Sequence, residues 1–367
     1  MRSARRVEVG SVPMGGGAPV SLQSMTKTDT RDVEATLAQI RELEQAGCDL
    51  VRVAIPDEEA ARAFARIRHG TQVPLIADIH FDHRLALIAL ESGVDKLRLN
   101  PGNIRKPEQV RAVVRVAHER RVPIRVGANL GSLPPDVRAK HRNALHEPQG
   151  AAQALFEAAM QHVRILEDLG FGHIVLSLKA FDVPTAIGAY RLAARETDYP
   201  LHLGVTEAGP PPAGTVRSAV GIGALLAEGI GDTIRVSLSA PPLEEVRVGR
   251  EILRVLALRP GGVTIVSCPT CSRCGMDVQA AAHEVERSLR SLDDRLRREA
   301  RELRVAVMGC AVNGPGEARD ADVGIAADSR GAVLFSRGEV VGRLDPDQAV
   351  ATLVAEAERL AGEPVQP

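Results

Sequence analysis

Residues 50–80 read LVRVAIPDEEAARAFARIRHGTQVPLIADIH. The apolar run Leu50–Ile55 has the length and the Val/Ile content of a buried strand. Amphipathic helical spacing follows over Glu58–Arg68, and a second apolar run, Pro74–His80, closes the unit. Outward from this stretch the same strand–helix unit recurs on both sides. Strand candidates are Val20–Met25, Leu50–Ile55, Pro74–His80, Lys96–Asn100, Pro123–Asn129, His173–Lys179, Leu201–Glu207 and Thr233–Ser239, eight in all. Helical stretches alternate with them, near Asp32–Ala46, Glu58–Arg68, His83–Glu91, Pro107–Arg120, Ala151–Leu169, Val183–Arg195, Val216–Ala227 and Leu243–Leu258. The first has Thr30 or Asp32 as its cap, Leu37, Ile40 and Leu43 as its apolar stripe, and Gly47 as its stop. Strict alternation implies a parallel sheet covered on both faces. Eight such units close most simply into a (β/α)8 TIM barrel, an α/β fold. An open doubly wound sheet is the alternative, but the Gly-x-Gly-x-x-Gly loop expected after its first strand is missing. Gly15-Gly16-Gly17 precedes the first strand and reads as a turn.

Chemistry in such a barrel sits at the C-terminal ends of the strands. Those ends carry Arg52, Arg98, Arg125 and Arg235 inside apolar runs, with Lys179, Asp78, His80, Asn100, Asn129 and Glu207 ending others. A single arginine in a strand is usually paired or reaches solvent. Four in corresponding positions, with few acids at the same depth, call for a bound anion, because unpaired buried cations are costly. Guanidinium forks match phosphate oxygens. The rim therefore predicts a small phosphorylated or diphosphorylated substrate, with Glu207 as an acid/base candidate or a structural partner of a rim arginine.

The balance of 46 Lys+Arg against 47 Asp+Glu argues against a general nucleic-acid or membrane-surface binder. Aromatic residues are 2% of the chain and Trp is absent, so the core must be aliphatic. No apolar run approaches the ~18 residues of a membrane span. The basic start Met1–Arg6 leads into no apolar signal core, which argues against secretion.

Arg259-Pro-Gly-Gly262 punctuates the chain, giving a barrel domain over 1–258 and a smaller domain over 259–367. The second domain reads as α+β: a strand Val263–Val266, a helix over roughly Asp277–Arg298, the strand LRVAVMG, short strands in DVGIA, AVLFS and EVVGRL, and a final helix Pro346–Leu360. Four of the five cysteines lie late in the chain: Cys268, Cys271, Cys274 and Cys310. Their spacing suits a cytoplasmic metal or cluster site better than a disulfide framework. Cys268-x-x-Cys271 with the distant Cys310 fits an iron–sulfur cluster, and Cys274 could supply a fourth thiolate. Zinc and a redox thiol pair are the alternatives. Cys48, after the helix stop, reads as a small packed residue.

At these residues the chain closely resembles the bacterial 4-hydroxy-3-methylbut-2-enyl diphosphate synthase family of the isoprenoid pathway that starts from methylerythritol phosphate. QSMTKTDTRDVEAT, ADIHFD, LRLNPGNI, LHLGVTEAG, EGIGDTIRVSL, CPTCSR and GCAVNGPGEA carry the resemblance over nearly the whole chain. It implies a TIM barrel followed by a reductase-like domain holding a [4Fe-4S] cluster on Cys268, Cys271, Cys310 and Glu317. It implies reductive ring opening and dehydroxylation of 2-C-methyl-D-erythritol 2,4-cyclodiphosphate, with two electrons from flavodoxin or ferredoxin. In this reading Arg52, Asp78, His80, Arg98, Arg125, Asn129, Lys179, Arg235 and Ser237 bind the diphosphate. Glu207 handles protons, Asn313 touches the substrate, and Glu317 leaves its iron open to substrate. A head-to-tail homodimer in the cytoplasm is the implied assembly. The chain departs from the family pattern in three places: Cys274 is an extra thiol, Phe181 stands where Ser is common, and RAKHRNALHEPQG looks longer than usual. The competing readings are a phosphate-binding barrel lyase or transferase with a structural zinc domain, and a cluster-bearing redox sensor.

Overall fold

The structure, a computed structural model, describes residues 3–104, 106–310, 320–328 and 331–362. The chain divides into two compact units, the first ending at Arg259 and the second starting at Pro260.

The first unit opens with an antiparallel hairpin, β1 (Arg6–Val9) and β2 (Val12–Gly15). The barrel strands follow: β3 (Ser21–Met25), β4 (Leu50–Ala54), β5 (Leu75–Asp78), β6 (Lys96–Arg98), β7 (Ile124–Asn129), β8 (Ile174–Lys179), β9 (His202–Leu203) and β10 (Thr233–Ile234). They form one parallel sheet in the order β8-β7-β6-β5-β4-β3-β10-β9. A single parallel bridge, Leu176 to Leu201, joins its two ends. The connecting helices are α1 (Val33–Gln45), α2 (Glu58–His69), α3 (His83–Glu91), α4 (Pro107–Glu119), α5 (Pro135–Lys140), α6 (Pro148–Glu167), α7 (Val183–Glu196), α8 (Ala213–Ala227) and α9 (Pro242–Val255).

Strand alternation sorts the side chains into two sets. Val51 and Val53 of β4 join Phe64 and Ile67 of α2 in the apolar layer between sheet and helices. Leu50, Ile76 and Val175 point inward and meet Val7, Val9 and Met14 of the hairpin, which packs into the barrel where the strands begin. Aspartates cap α1, α2, α3 and α7: Asp32, Asp57, Asp82 and Asp182 each accept a backbone N–H from the first turn. Asp32, not Thr30, is thus the first helix's cap. Buried Cys48 has its thiol pushed up to about 12, chiefly by burial, as suits a packed, unreactive side chain.

Three features add to or change the expectation. The hairpin is new: Gly15, read as part of a turn before the first strand, ends β2 and pairs with Arg6. The alternation of Val7 and Val9 before Gly10 is its signal; Gly10 has φ +56. The two strands expected over Leu201–Glu207 and Thr233–Ser239 shrink to two residues each. Beyond them the ladder thins to single backbone bonds, Arg235 N–H to Leu203 O and Thr206 N–H to Ala180 O, and then gives way to other partners. Glu207 and Gly209 turn the chain with positive φ, and Leu238 N–H donates to Glu245 instead of a strand. The segment around 138–150 forms α5, a turn and the start of α6, tied by Lys140 and His141 to Glu157 at 2.8 Å each.

The second unit is a five-stranded mixed sheet, β11 (Gly262–Ser267), β12 (Glu302–Met308), β13 (Val323–Asp328), β14 (Gly331–Ser336) and β15 (Glu339–Leu344), in sequence order. β11, β12 and β13 run parallel, and the last two strands are antiparallel. α10 (Val278–Ser288), α11 (Arg290–Arg298) and α12 (Pro346–Gly362) bury Val285, Leu292 and Leu353 against Val305, Val307 and Ile325. The helix expected over Asp277–Arg298 is therefore two helices, broken at Leu289, whose side chain is buried at the junction.

Met14 is fully buried and closes the strand-start end of the barrel. Met14→Ala should lower the barrel's unfolding free energy by about 2–5 kcal/mol, whereas volume-conserving Met14→Leu should cost less than ~1.5 kcal/mol. Urea unfolding followed by circular dichroism checks both, and equal stability of Met14→Ala and wild type would remove the hairpin from the barrel core.

Candidate active site

The inward positions of the strands change character toward the strand ends. Below, they are aliphatic. Above, they are Arg52, Asp78, Arg98, Arg125, Lys179 and, just past β10, Arg235, while Lys96 and His202 take inward positions where β6 and β9 begin. Asp78 is the hub. Its carboxylate lies 3.8 Å from Arg52 Nε, 3.5 Å from Arg98 Nε and 3.8 Å from His80 Nε2. Burial alone would raise its pKa, but His80 and the charges of Arg52, Arg98 and Arg125 outweigh it and hold the carboxyl below its ordinary range. Arg98 Nη1 also lies 3.1 Å from His80 Nδ1. Arg52 packs its guanidinium on the Met25 thioether, with Nε 3.1 Å from Sδ.

A second carboxylate serves the opposite side of the barrel. Glu245, near the start of α9, is buried and accepts the Leu238 N–H at 3.1 Å. Lys27 Nζ lies 3.2 Å and Arg235 Nη2 3.7 Å from it. Burial and the Arg52 charge lower the Arg235 guanidinium to about 10, with Glu245 acting against them. Arg125 and Lys179 are buried among cations and are pushed well down from their usual values, by burial first and then by Arg52 and Arg235 respectively. The interior is electrostatically incomplete: the arginines and lysines outnumber the two carboxylates, and an anion at the rim would complete it.

The expected rim residues divide into groups. Arg52, Asp78, His80 and Arg98 are joined by direct contacts, and Arg125, Lys179 and Arg235 are coupled to them by charge. Asn129 is exposed at the end of β7, in register with Lys179. Ser237 is half-buried two residues beyond Arg235. Asn100 instead fastens β6 to β7, donating to Gly127 O at 2.8 Å and accepting from Gly127 N at 3.1 Å. Glu207 stands in the turn beyond β9, exposed, with φ +55. Among the described residues it makes no ion pair with a rim arginine, so the structural alternative for it has no contact behind it. Phe181, half-exposed, lies against Arg217, whose guanidinium carbon is 5.1 Å from the ring centre. Phe81 is also exposed beside His80.

Sequence reading missed Lys27, Lys96, His202 and Glu245. Lys96 was visible in Lys96-Leu-Arg98-Leu-Asn100, since period-two alternation places it on the Arg98 face. His202 had the same signal within LHLGV. Glu245 follows Glu244 in an ordinary first helical turn, and nothing in the sequence separates the buried one from the exposed one.

In the second unit, Cys268 follows β11 and Cys310 follows β12, at the C-terminal ends of neighbouring parallel strands. None of the five cysteines forms a disulfide. Gly309 N–H donates to Cys268 Sγ at 3.3 Å, and Cys271 N–H to Cys274 Sγ at 3.3 Å. A Cβ on Gly309 would come within 2.5 Å of Cys274 Sγ, so this approach requires glycine. Soft sulfur donors held by backbone N–H groups are the donor chemistry that iron–sulfur centres use. Among the described residues no three His, Cys, Asp or Glu side chains are gathered closely enough to hold a metal ion. Asn313 and Glu317 lie outside the described residues. No helix among the described residues is long and apolar enough to cross a membrane.

Comparison with known proteins covers both units. Residues 4–250 match the GcpE TIM-barrel domain and residues 264–359 the GcpE protein C-terminal domain. Relatives named 4-hydroxy-3-methylbut-2-en-1-yl diphosphate synthase (flavodoxin) match nearly end to end. The protein of Dehalococcoides mccartyi strain BAV1 is 53% identical over 98% of this chain and 99% of its own. That of Geobacter sulfurreducens is 52% identical, covering 98% of each. That of Symbiobacterium thermophilum is 52% identical over 99% of this chain and 94% of its own. With both units matched in order and half the residues identical over this length, the chain belongs to the GcpE family.

Proposed function

We propose that the chain catalyses reductive ring opening and dehydroxylation of 2-C-methyl-D-erythritol 2,4-cyclodiphosphate to 4-hydroxy-3-methylbut-2-enyl diphosphate, with flavodoxin or ferredoxin as electron donor. The observation that carries this reading is the surplus of buried cations at the barrel rim, which matches a compact diphosphate; the names of its relatives agree with it. Arg52, Arg98, Arg125, Lys179 and Arg235 bind the diphosphate oxygens, and Asn129 and Ser237 add hydrogen bonds. Asp78 and His80 orient Arg52 and Arg98, so those forks are set before the substrate arrives. Glu207, held in a left-handed turn at the mouth, delivers the proton that lets the departing hydroxyl leave as water. Asn313 contacts the substrate.

The thiols of Cys268, Cys271 and Cys310, with the carboxylate of Glu317, would hold a [4Fe-4S] cluster. Such a cluster, when bound, supplies electrons one at a time, and its carboxylate-held iron exchanges ligands more readily than a thiolate-held one. Gly309 N–H would stabilise the Cys268 thiolate by donating to it. The exposed Phe81 and Phe181 at the barrel mouth suit a covering partner, and we assign that role to a second copy in a head-to-tail homodimer in the cytoplasm.

Protein purified without oxygen should carry iron and acid-labile sulfide. Stoichiometric zinc without sulfide would favour the barrel lyase or transferase with a zinc domain. A full cluster with no turnover of the cyclodiphosphate would favour the redox sensor.

Cys310→Ser should lose the cluster's visible absorption and paramagnetic signature, while Cys274→Ser should keep both, because Cys274 is the extra thiol. The reverse pattern would make Cys274 a ligand. Glu207→Gln keeps the shape and loses the transferable proton, so turnover with a chemical reductant should fall by a factor on the order of 100 with substrate affinity retained. Normal turnover in that variant would reject the acid/base role. Arg125→Met should instead act on affinity, weakening substrate binding by roughly tenfold to a hundredfold in a spectroscopic titration; unchanged binding would remove Arg125 from the diphosphate site.

A further inference from the structure

Lys96 is fully enclosed in the barrel. It is 0% exposed, and its ammonium's neighbour is the Met14 thioether, 3.7 Å from Nζ. A thioether is a weak, neutral acceptor and supplies no counter-charge. The ionisable groups facing this interior are Arg52 from β4, Asp78 from β5, Arg98 from β6 itself, Arg125 from β7, Lys179 from β8, His202 from β9 and Arg235 after β10; the hairpin contributes only Met14. Asp78 is already engaged by Arg52 and Arg98, and Glu245 by Lys27 and Arg235. Burial, then Arg125 and Arg52, depress the Lys96 amine far below a lysine's usual value.

Arginine does not give up its proton in a protein, so the guanidiniums stay charged whatever occupies the barrel. Lysine adjusts. Lys179 ends its strand at the rim, where the ligand itself is its counter-ion. Lys96, at the start of β6 and in register with Ile76, lies one inward position below Arg98, and among the described residues it makes no ion pair. Its charge state is therefore governed by whether Arg52 and Arg125 are neutralised.

We propose that binding of the cyclic diphosphate is coupled to uptake of a proton by the barrel, and that Lys96 is the residue that accepts it. This rests on the substrate reading given above. The bound anion cancels the field of Arg52, Arg98 and Arg125, and the amine of Lys96 takes a proton from solvent to become an ammonium; no other bond changes. The proton goes to the protein because each phosphorus of a cyclic diphosphate diester bears one strongly acidic oxygen, and the ligand has no group that titrates near neutrality. The free barrel thus avoids one buried cation, and the liganded barrel gains it when an anion is present to offset it. Lys96 is raised in pKa on binding. Binding is then fully favoured below the free-enzyme value and weakens as pH rises toward the bound-state value, by ~tenfold per pH unit for one proton.

Calorimetric titration of the full-length, anaerobically purified enzyme with the cyclodiphosphate, without reductant and hence without turnover, tests this. At one pH near neutrality, the binding enthalpy is measured in buffers of different ionisation enthalpy, avoiding phosphate. We expect a slope equal to uptake of about one proton. Lys96→Met and Lys96→Arg, which fix the residue as neutral or charged, should both bind with that slope reduced by about one and with a flatter dependence of affinity on pH. Normal binding by wild type with zero slope overturns the coupling. A wild-type slope in either variant overturns the assignment to Lys96 and moves the proton to Lys179 or another group. Should both variants fail to fold, the wild-type slope still decides the coupling. Absence of any binding by wild type would strike the substrate reading instead.

Discussion

Repulsion among cations inside a closed barrel is the constraint around which the first unit is organised. Arg52, Lys96, Arg98, Arg125, Lys179 and Arg235 share an interior with the carboxylates of Asp78 and Glu245. In water such a set would disperse. Here they are fixed on five strands or just beyond them, Lys96 and Arg98 sharing β6, and the apolar layer outside the sheet provides the burial that holds them. Val51, Val53, Phe64, Ile67 and their equivalents supply that energy, at ~25 cal/mol for each Å² of apolar surface removed from water. The chemistry is thus borne by a fold whose stability comes from the opposite faces of the same strands.

The two carboxylates do different work from the cations. Asp78 does not neutralise the rim; it aims two guanidiniums from neighbouring strands. Glu245 does the same for Lys27 and Arg235 from a helix rather than a strand. The net positive potential survives, and its sources have little freedom left to lose when a ligand binds, which is how a preorganised site gains affinity. Where an acceptor is needed without a charge, the barrel presents sulfur, Met25 against Arg52 and Met14 beside Lys96.

Much of this was legible in the chain. The recurrence of strand and helix from Val20 to Leu258 gave the barrel, because parallel strands covered on both faces are uniformly apolar and any charge in them stands out. Arg52, Arg98, Arg125 and Arg235 stood out for that reason. Lys96 and His202 did not, because they begin or nearly begin their strands and read as boundary residues. Glu245 did not, because a helix's first turn ordinarily carries acids. The hairpin escaped because its strands are short and its apolar faces meet only once the barrel exists to receive them. In the second unit Leu289 stopped one helix and started another with no Gly or Pro to mark the break.

The seam of the barrel between β8, β9 and β10 has a consequence for how the protein moves. The longest ladders lie away from it: six residue pairs join β7 to β8 and four join β4 to β5. At the seam, β9 and β10 pair over two residues, and β8 meets β9 through a single bridge. Local opening follows the density of backbone bonds and buried contacts. Amide protons of Gly204, Val205 and Val236 should therefore exchange with solvent sooner than those of β4 or β7. The barrel breathes along the edge that leads to Glu207, and the longer β4–β5 ladder, which carries Arg52 and Asp78, lies outside that seam.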